Sequence, residues 1–399
     1  MIVAAAAGIL TVSSAGGFAT VGAAVTAARA GDTVLVEAGR YQEVGPVVVN
    51  KRLVILGRGA PVVAGRGDHS VFVVTASGVE IAGLVVEHVE PSSVEDRAGI
   101  RIEEGTACRI HDNEIRDTFF GIFGAKADRC VVARNRVVGR TGSEHIGGNA
   151  IQFWSSREVV IEGNVVTGHR DGIYLEFVTV GRIVGNESRS NLRYGLHFMF
   201  SDSSAYRDNR FEANGAGVAV MYSKGIEMSR NRFRNHRGPA SYGLLLKDIT
   251  DGRVADNEFA DNTTGLYLEG TNRIEFTDNR LTGNGWALRL LANSIDNDFR
   301  GNVFEANAFD VATNSRSTGS RFAGNYWDRY RGFDLDRDGR GDIPFRPVRL
   351  FSLVVEQNRP ALILLRSVFV DLLDLAERVL PVLTPAELAD PAPLMEAPQ

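Results

Sequence analysis

An asparagine returns through most of this chain at nearly one interval. It stands at positions 113, 135, 164, 186, 209, 231, 257, 279, 302 and 325, in steps of 22, 29, 22, 23, 22, 26, 22, 23 and 23 residues. Its surroundings recur with it, as in Asp112-Asn113, Gly163-Asn164, Asp208-Asn209 and Asp278-Asn279. A second series keeps step: Gly99-Ile100, Gly121-Ile122, Ala150-Ile151, Gly172-Ile173, Gly195-Leu196, Gly217-Val218, Gly243-Leu244, Gly265-Leu266 and Ala287-Leu288. A fixed period of this length marks a stacked repeat. The longer steps locate insertions at Arg140 to Gly148 and at Asn235 to Ser241.

The repeated segments alternate apolar and polar residues, as in Ile173-Tyr-Leu-Glu-Phe177 and Leu266-Tyr-Leu-Glu269. That is the period of a strand with one buried face, not of a helix. Short strands in coils of about 22 residues predict an all-β chain, a right-handed parallel β-helix in which each coil rests on the last. Asn suits a bend near the left-handed conformation, and stacked Asn side chains can hydrogen-bond as a ladder. The first hundred residues read as less regular coils, with strands at Gly31–Tyr41, Arg52–Gly57, Ser70–Val74 and Gly78–Val86. Phe18 to Ala30 reads as a short amphipathic helix capping the open N-terminal end, where strand edges would otherwise be bare. Met1 to Leu10 is either the end of a signal peptide or the first strand. The expected organisation is a β-helix with its cap and an acidic loop over 1–342, then a C-terminal helix and tail over 343–399 that docks a partner. That helix spans Pro360 to Leu380 with charges at Arg366, Asp371, Asp374, Glu377 and Arg378, which exclude a membrane span; an extended tail follows from Pro381. A formal charge of -5 argues against nucleic-acid binding.

The strand register selects candidate side chains. If Leu196, Phe198 and Phe200 face the core, His197 and Met199 face outward. The outward residues of the coils before are Tyr174 and Glu176, and Gln152 and Trp154. Those after are Ala219 and Met221, Leu245 and Lys247, and Tyr267 and Glu269. Met199 is thus expected over Met221, with His197 diagonal and Glu176 below. Thioether and imidazole make a soft ligand set suited to Cu(I). The competing reading is an apolar docking surface built from Met with Trp154, Tyr174 and Tyr267. Met228 projects inward and reads as packing, whereas His145, His169 and His236 read as surface residues.

Asp334, Asp336, Asp338 and Asp342, with Gly339 between the last two, place carboxylates at alternate positions of a tight loop. The loop reads either as a Ca²⁺ site closing the last coil or as a solvated acidic turn. Cys108 and Cys130 lie one period apart. They read as small core residues, a bridge in an oxidising compartment, or a pair of inward metal ligands. Glycoside cleavage needs carboxylates about 5 to 9.5 Å apart. Glu176 and Glu269 stand four coils apart, roughly 19 Å at strand spacing. No nucleophile elbow, phosphate loop or zinc spacing appears, so the expectation is that the chain is not an enzyme.

Several stretches are similar to the NosD family: His169-Arg-Asp-Gly-Ile-Tyr-Leu-Glu-Phe177, Asn191-Leu-Arg-Tyr-Gly-Leu-His-Phe-Met-Phe-Ser201, Val218-Ala-Val-Met-Tyr-Ser223, Gly285-Trp-Ala-Leu-Arg-Leu-Leu-Ala-Asn-Ser294 and Gly324-Asn-Tyr-Trp-Asp328. The resemblance runs from about Gly31 to about Leu380. It implies a periplasmic copper-handling accessory protein for nitrous-oxide reductase maturation. The implied partners are an ABC transporter, a copper chaperone lipoprotein and the apo reductase, with the C-terminal helix docking on the transporter's membrane subunit. The alternative expectation is a carbohydrate-binding or polysaccharide-cleaving β-helix.

Overall fold

The computed structural model describes residues 7–140, 147–315, 319–365, 367–379 and 387–398. It is a parallel β-helix whose chain divides into two compact units, one up to Ala205 and one from Tyr206. In the first unit, one sheet runs through Val47–Val49, Phe72–Val74, Ala98–Glu103, Phe120–Ala125, Ile151–Trp154, Ile173–Glu176 and Tyr194–Met199, each parallel to the next. Two further sheets complete the coils, with strands such as Arg109–His111 and Glu114–Arg116. In the second unit the equivalent strands are Ala216–Met221, Leu244–Lys247, Thr264–Glu269, Trp286–Leu290 and Phe309–Thr313, again each parallel to the next.

The expected N-terminal helix is Val21–Ala27, capped by the Thr20 hydroxyl, which accepts from the Ala23 amide. The buried Glu43 carboxylate accepts from the Val21 and Gly22 amides and ties this helix to the coil beneath. Ile9–Val12 is the first strand and pairs with Thr33–Val36; residues 1–6 of the N-terminal stretch lie outside the described residues.

The Asn ladder forms within each unit. Nδ2 of Asn113, Asn135 and Asn164 donates to Oδ1 of the next rung at 3.0 Å. Asn209, Asn231, Asn257, Asn279 and Asn302 do the same in the second unit. The sequence reading expected the Asn to make the bend, and it does not. The residue before it is left-handed: Asp112 has φ 55°, Asp208 59° and Asp278 56°. Asn is instead buried, where its amide bonds three backbone or side-chain groups at once. The glycine series has a steric cause. A Cβ on Gly172 would stand 2.1 Å from Ser188 Oγ and 2.6 Å from the Gly195 carbonyl. Coils approach too closely there for a side chain.

Inward side chains stack coil on coil. The first unit uses aliphatic stacks, such as Ile55, Ile81, Ile110, Val132, Ile161 and Ile183. The second uses aromatic ones: Phe211, Phe233 and Phe259 at 5.4 and 4.6 Å, and Phe276, Phe299 and Phe322 at 4.6 and 4.7 Å. Met228 is buried among them, as expected.

The single helix expected over Pro360 to Leu380 is a 3₁₀ turn followed by a helix, and a further helix that the sequence reading did not foresee precedes them. A helix spans Leu350–Gln357, a 3₁₀ turn Arg359–Leu364, and a second helix Val368–Val379. Pro360 supplies no amide hydrogen, so the first helix stops before it. Arg366 and Leu380 lie outside the described residues. Phe351, Val355 and Val370 bury against Phe309. No described helix is long and apolar enough to cross a membrane. The tail is not free where it is described. Leu394 bridges to Tyr326 and Arg340, and Asp390 to Phe345.

Candidate metal centre

In the first unit, Tyr174 pairs with His197 and Glu176 with Met199, the register read from alternation. Leu196 and Phe198 are fully buried in the core. Phe200 is not. It takes φ 50° at the end of the strand, turns outward, and stacks on Phe177 at 5.1 Å. His197 faces outward from the coil but is not exposed: 6 % of its surface is open. The sequence expected an exposed ladder; Met199 is half-buried and His197 is covered.

The cover comes from the turn preceding the same strand and from the coil before. Tyr194 and Tyr174 flank the imidazole at 4.8 and 5.0 Å between ring centres. Arg193 lies over Tyr194 and holds the buried Asp171 through Nε at 2.9 Å and Nη2 at 2.5 Å. His197 Nδ1 sits 3.4 Å from Arg193 Nη2 and 3.7 Å from Asp171 Oδ2. Burial pushes the Asp171 carboxyl up, but its contacts with His197 and Arg193 outweigh that and hold it below the usual carboxylate range. The other ring nitrogen, His197 Nε2, is buried with no hydrogen-bond partner among the described residues. An orphaned buried nitrogen costs stability unless something else fills its valence. The Tyr174 hydroxyl contacts Met199 Sδ at 3.7 Å. Burial first, then the Glu176 carboxylate, pushes Tyr174 up to about 12, so it stays a neutral donor at physiological pH.

An imidazole nitrogen, a thioether and a carboxylate therefore stand on the outward face of two neighbouring strands of this sheet. The carboxylate of Asp171 stands behind the imidazole, as outer partners do in metal sites. Sequence alone passed over Arg193 and Tyr194. Their signal was their place just before Gly195, one repeat after Arg170 and Asp171. Met221 belongs to the second unit, where it is half-buried and pairs in register with Lys247, which pairs with Glu269 and bonds it at 3.0 Å.

The other histidines correct the sequence reading. His169 and His236 are buried rather than superficial, with 3 % and 0 % open. Each replaces an Asn in a second ladder of the coils. His236 Nδ1 accepts from the Asn214 amide at 3.2 Å, and Nε2 faces the Phe211 carbonyl at 3.2 Å. Burial lowers both rings to about 4. His145 lies outside the described residues.

Asp334, Asp336 and Asp338 are the one group of three acidic, His or Cys side chains clustered for a metal among the described residues, with oxygens within 4.8 Å of one another. Asp334 also accepts from the Asp338 and Gly339 amides, and Asp342 from the Leu335 amide. Cys108 and Cys130 are both buried free thiols.

Residues 140–332 match the sequence profile of a family described as periplasmic copper-binding protein (NosD). A relative named probable ABC transporter binding protein NosD, from Pseudomonas aeruginosa, is 28 % identical over 90 % of this chain and 87 % of its own. One of the same name from Stutzerimonas stutzeri is 26 % identical over 90 % and 86 %. Among solved structures, PfbA, a surface adhesin of Streptococcus pneumoniae, superposes with a TM-score of 0.59 at 13 % identity, covering 73 % of this chain and 86 % of its own. That likeness concerns the fold. The relatives and the matched profile cover the coils that carry His197 and Met199, and the chain is similar to NosD, a family described as periplasmic and copper-binding.

Proposed function

We propose that this chain is a non-enzymatic copper-handling scaffold of the periplasm, working with an ABC transporter to deliver copper during maturation of nitrous-oxide reductase. The observation that carries the reading is His197 Nε2, a buried imidazole nitrogen without a partner among the described residues, on the same strand as the Met199 thioether. Soft thioether and imidazole donors favour Cu(I) over hard cations. Glu176, in register with Met199, supplies a carboxylate on the same face. Met221 is a separate soft donor, in the second unit. The relatives' name supports the transporter, and the family description supports copper. A copper chaperone lipoprotein as donor and the apo reductase as acceptor complete the reading. Asp334, Asp336, Asp338 and Asp342 hold Ca²⁺ in it, as a structural closure of the last coil.

The test is anaerobic Cu(I) titration against a competing chelator. His197→Ala with Met199→Ala is expected to weaken Cu(I) at least tenfold. Met221→Ala is run as a separate arm, because it reports on the second unit alone. Wild-type affinity in the His197→Ala, Met199→Ala variant would remove this site.

A further inference from the structure

The chain has two cysteines in 399 residues, and both fall in the same stack of the first unit. Arg109 pairs in register with Val131, so Cys108 and Cys130 occupy equivalent places one coil apart. The same places in the coils on either side hold Val79 and Val159, since Arg109 follows Glu80 and Val131 precedes Val160 in the ladder. Both thiols are fully buried. Cys108 Sγ donates to the Ala76 carbonyl at 3.4 Å and Cys130 Sγ to the Gly105 carbonyl at 3.5 Å, both weak bonds. Neighbouring coils bring α-carbons to about 4.8 Å. That lies inside the window of about 4.4 to 6.8 Å that a disulfide requires.

We propose that Cys108 and Cys130 are oxidised to a disulfide that staples two successive coils. The family is periplasmic, and that compartment is kept oxidising by thiol–disulfide exchange. The step balances with a protein disulfide as the oxidant. Cys108, as thiolate, attacks one sulfur of that disulfide and forms a mixed disulfide. Cys130 then attacks Cys108 Sγ and displaces the carrier. Two S–H bonds are lost and one S–S bond forms; two protons and two electrons leave with the carrier as a dithiol. Full burial fixes the timing: a carrier protein reaches these sulfurs only before the coil of Cys130 closes on that of Cys108. The staple also withdraws two thiolates, the strongest soft ligands available to the chain, from competition for copper. The inference uses the compartment of the family and is independent of the copper site.

The test is peptide mapping of the full chain exported to an oxidising periplasm and alkylated under denaturing conditions before digestion. Trypsin is expected to release Ile102–Arg109 linked to Cys130–Arg134, and the link should vanish on reduction. Two alkylatable thiols per exported chain would overturn the proposal. The Cys108→Val, Cys130→Val variant continues the valine stack and is expected to fold. It should unfold at lower urea than the oxidised chain, near the midpoint of the reduced one. Equal midpoints for oxidised and reduced wild type would remove the stapling role. Cu(I) affinity of the oxidised chain should match that of the double valine variant, so failure here leaves the His197–Met199 reading untouched.

Discussion

His236 shows how one residue can read as surface in sequence and be structural in the fold. At the equivalent rung Asn262 accepts through Oδ1 from the His236 amide and donates through Nδ2 to the Phe233 carbonyl. His236 reproduces both contacts with its two ring nitrogens, which requires the neutral ring. The folded ring titrates near 4, against about 6.5 when unfolded. Between those values the unfolded chain binds a proton that the folded chain does not. Stability from this group is therefore full above about pH 6.5 and falls as pH drops toward 4, by on the order of 3 kcal/mol. His236→Asn restores the ladder residue and should flatten the stability–pH curve in that window while leaving neutral-pH stability nearly unchanged. His236→Leu should be destabilised at all pH values. Urea unfolding at several pH values separates the two, and an unchanged slope in His236→Asn would refute the assignment. At this scale alternation placed Tyr174, Glu176, His197 and Met199 correctly in register. It could not see the burial of His197, because Arg193 and Tyr194, which alternation did not single out, close over the ring together with Tyr174. Nor could it see that Asp112 or Asp208, not the Asn after it, takes the left-handed turn.

The clearest element that sequence left unread is the tail. Residues around Asp390 looked Pro- and Ala-rich and extended, yet they finish the Asn ladder. Each Asn rung donates forward and accepts from behind, so the last rung needs a group that only accepts. Asp390 is fully buried and meets that need. Its Oδ1 accepts from the Gly324 amide, and its Oδ2 from the Asn325 amide, Asn325 Nδ2 and Trp327 Nε1, at 2.9 to 3.1 Å. Charge and position in the tail carry no period, so no repeat search finds this residue. Orphaning a buried donor costs about 1 to 3 kcal/mol. Asp390→Ala is expected to lose about 3 kcal/mol or more, with amide exchange rising first at Gly324 to Trp327. Asp390→Asn should do no better, because its NH₂ meets donors. The tail also pairs with the acidic loop, through the Gly341 amide to Pro393 and the Met395 amide to Gly339. In a thermal melt, Ca²⁺ should raise the wild-type transition and not that of Asp336→Asn. No shift in wild type would leave the loop as a solvated acidic turn.

For the molecule as a whole, a solenoid couples each coil mainly to its neighbours, so functions on different coils can be separated by mutation. The proposed copper site and a candidate docking surface fall in different units. The first unit holds His197 and Met199. The second ends in helices with an uncovered apolar stripe. Val370 and Leu373 of the last helix pack toward Phe309 and Phe351, while Val368, Leu372 and Leu375 recur at i, i+4 and i+7 on the exposed side. Ile363 is 90 % exposed on the turn before it. This stripe is too short and too one-sided to span a bilayer, and a helix-in-groove contact with a transporter's membrane subunit suits its spacing. A charge on the stripe would have to be desolvated in such a contact, at a cost of several kcal/mol. Leu372→Glu with Leu375→Glu should therefore abolish co-purification with the transporter from membranes, with Cu(I) affinity and unfolding midpoint unchanged. His197→Ala with Met199→Ala should give the opposite pattern, retained docking with weakened copper. If the glutamate pair leaves docking intact, the stripe is not the transporter contact. If it weakens copper as well, the two functions are coupled beyond nearest neighbours, and the one-dimensional account of this solenoid fails.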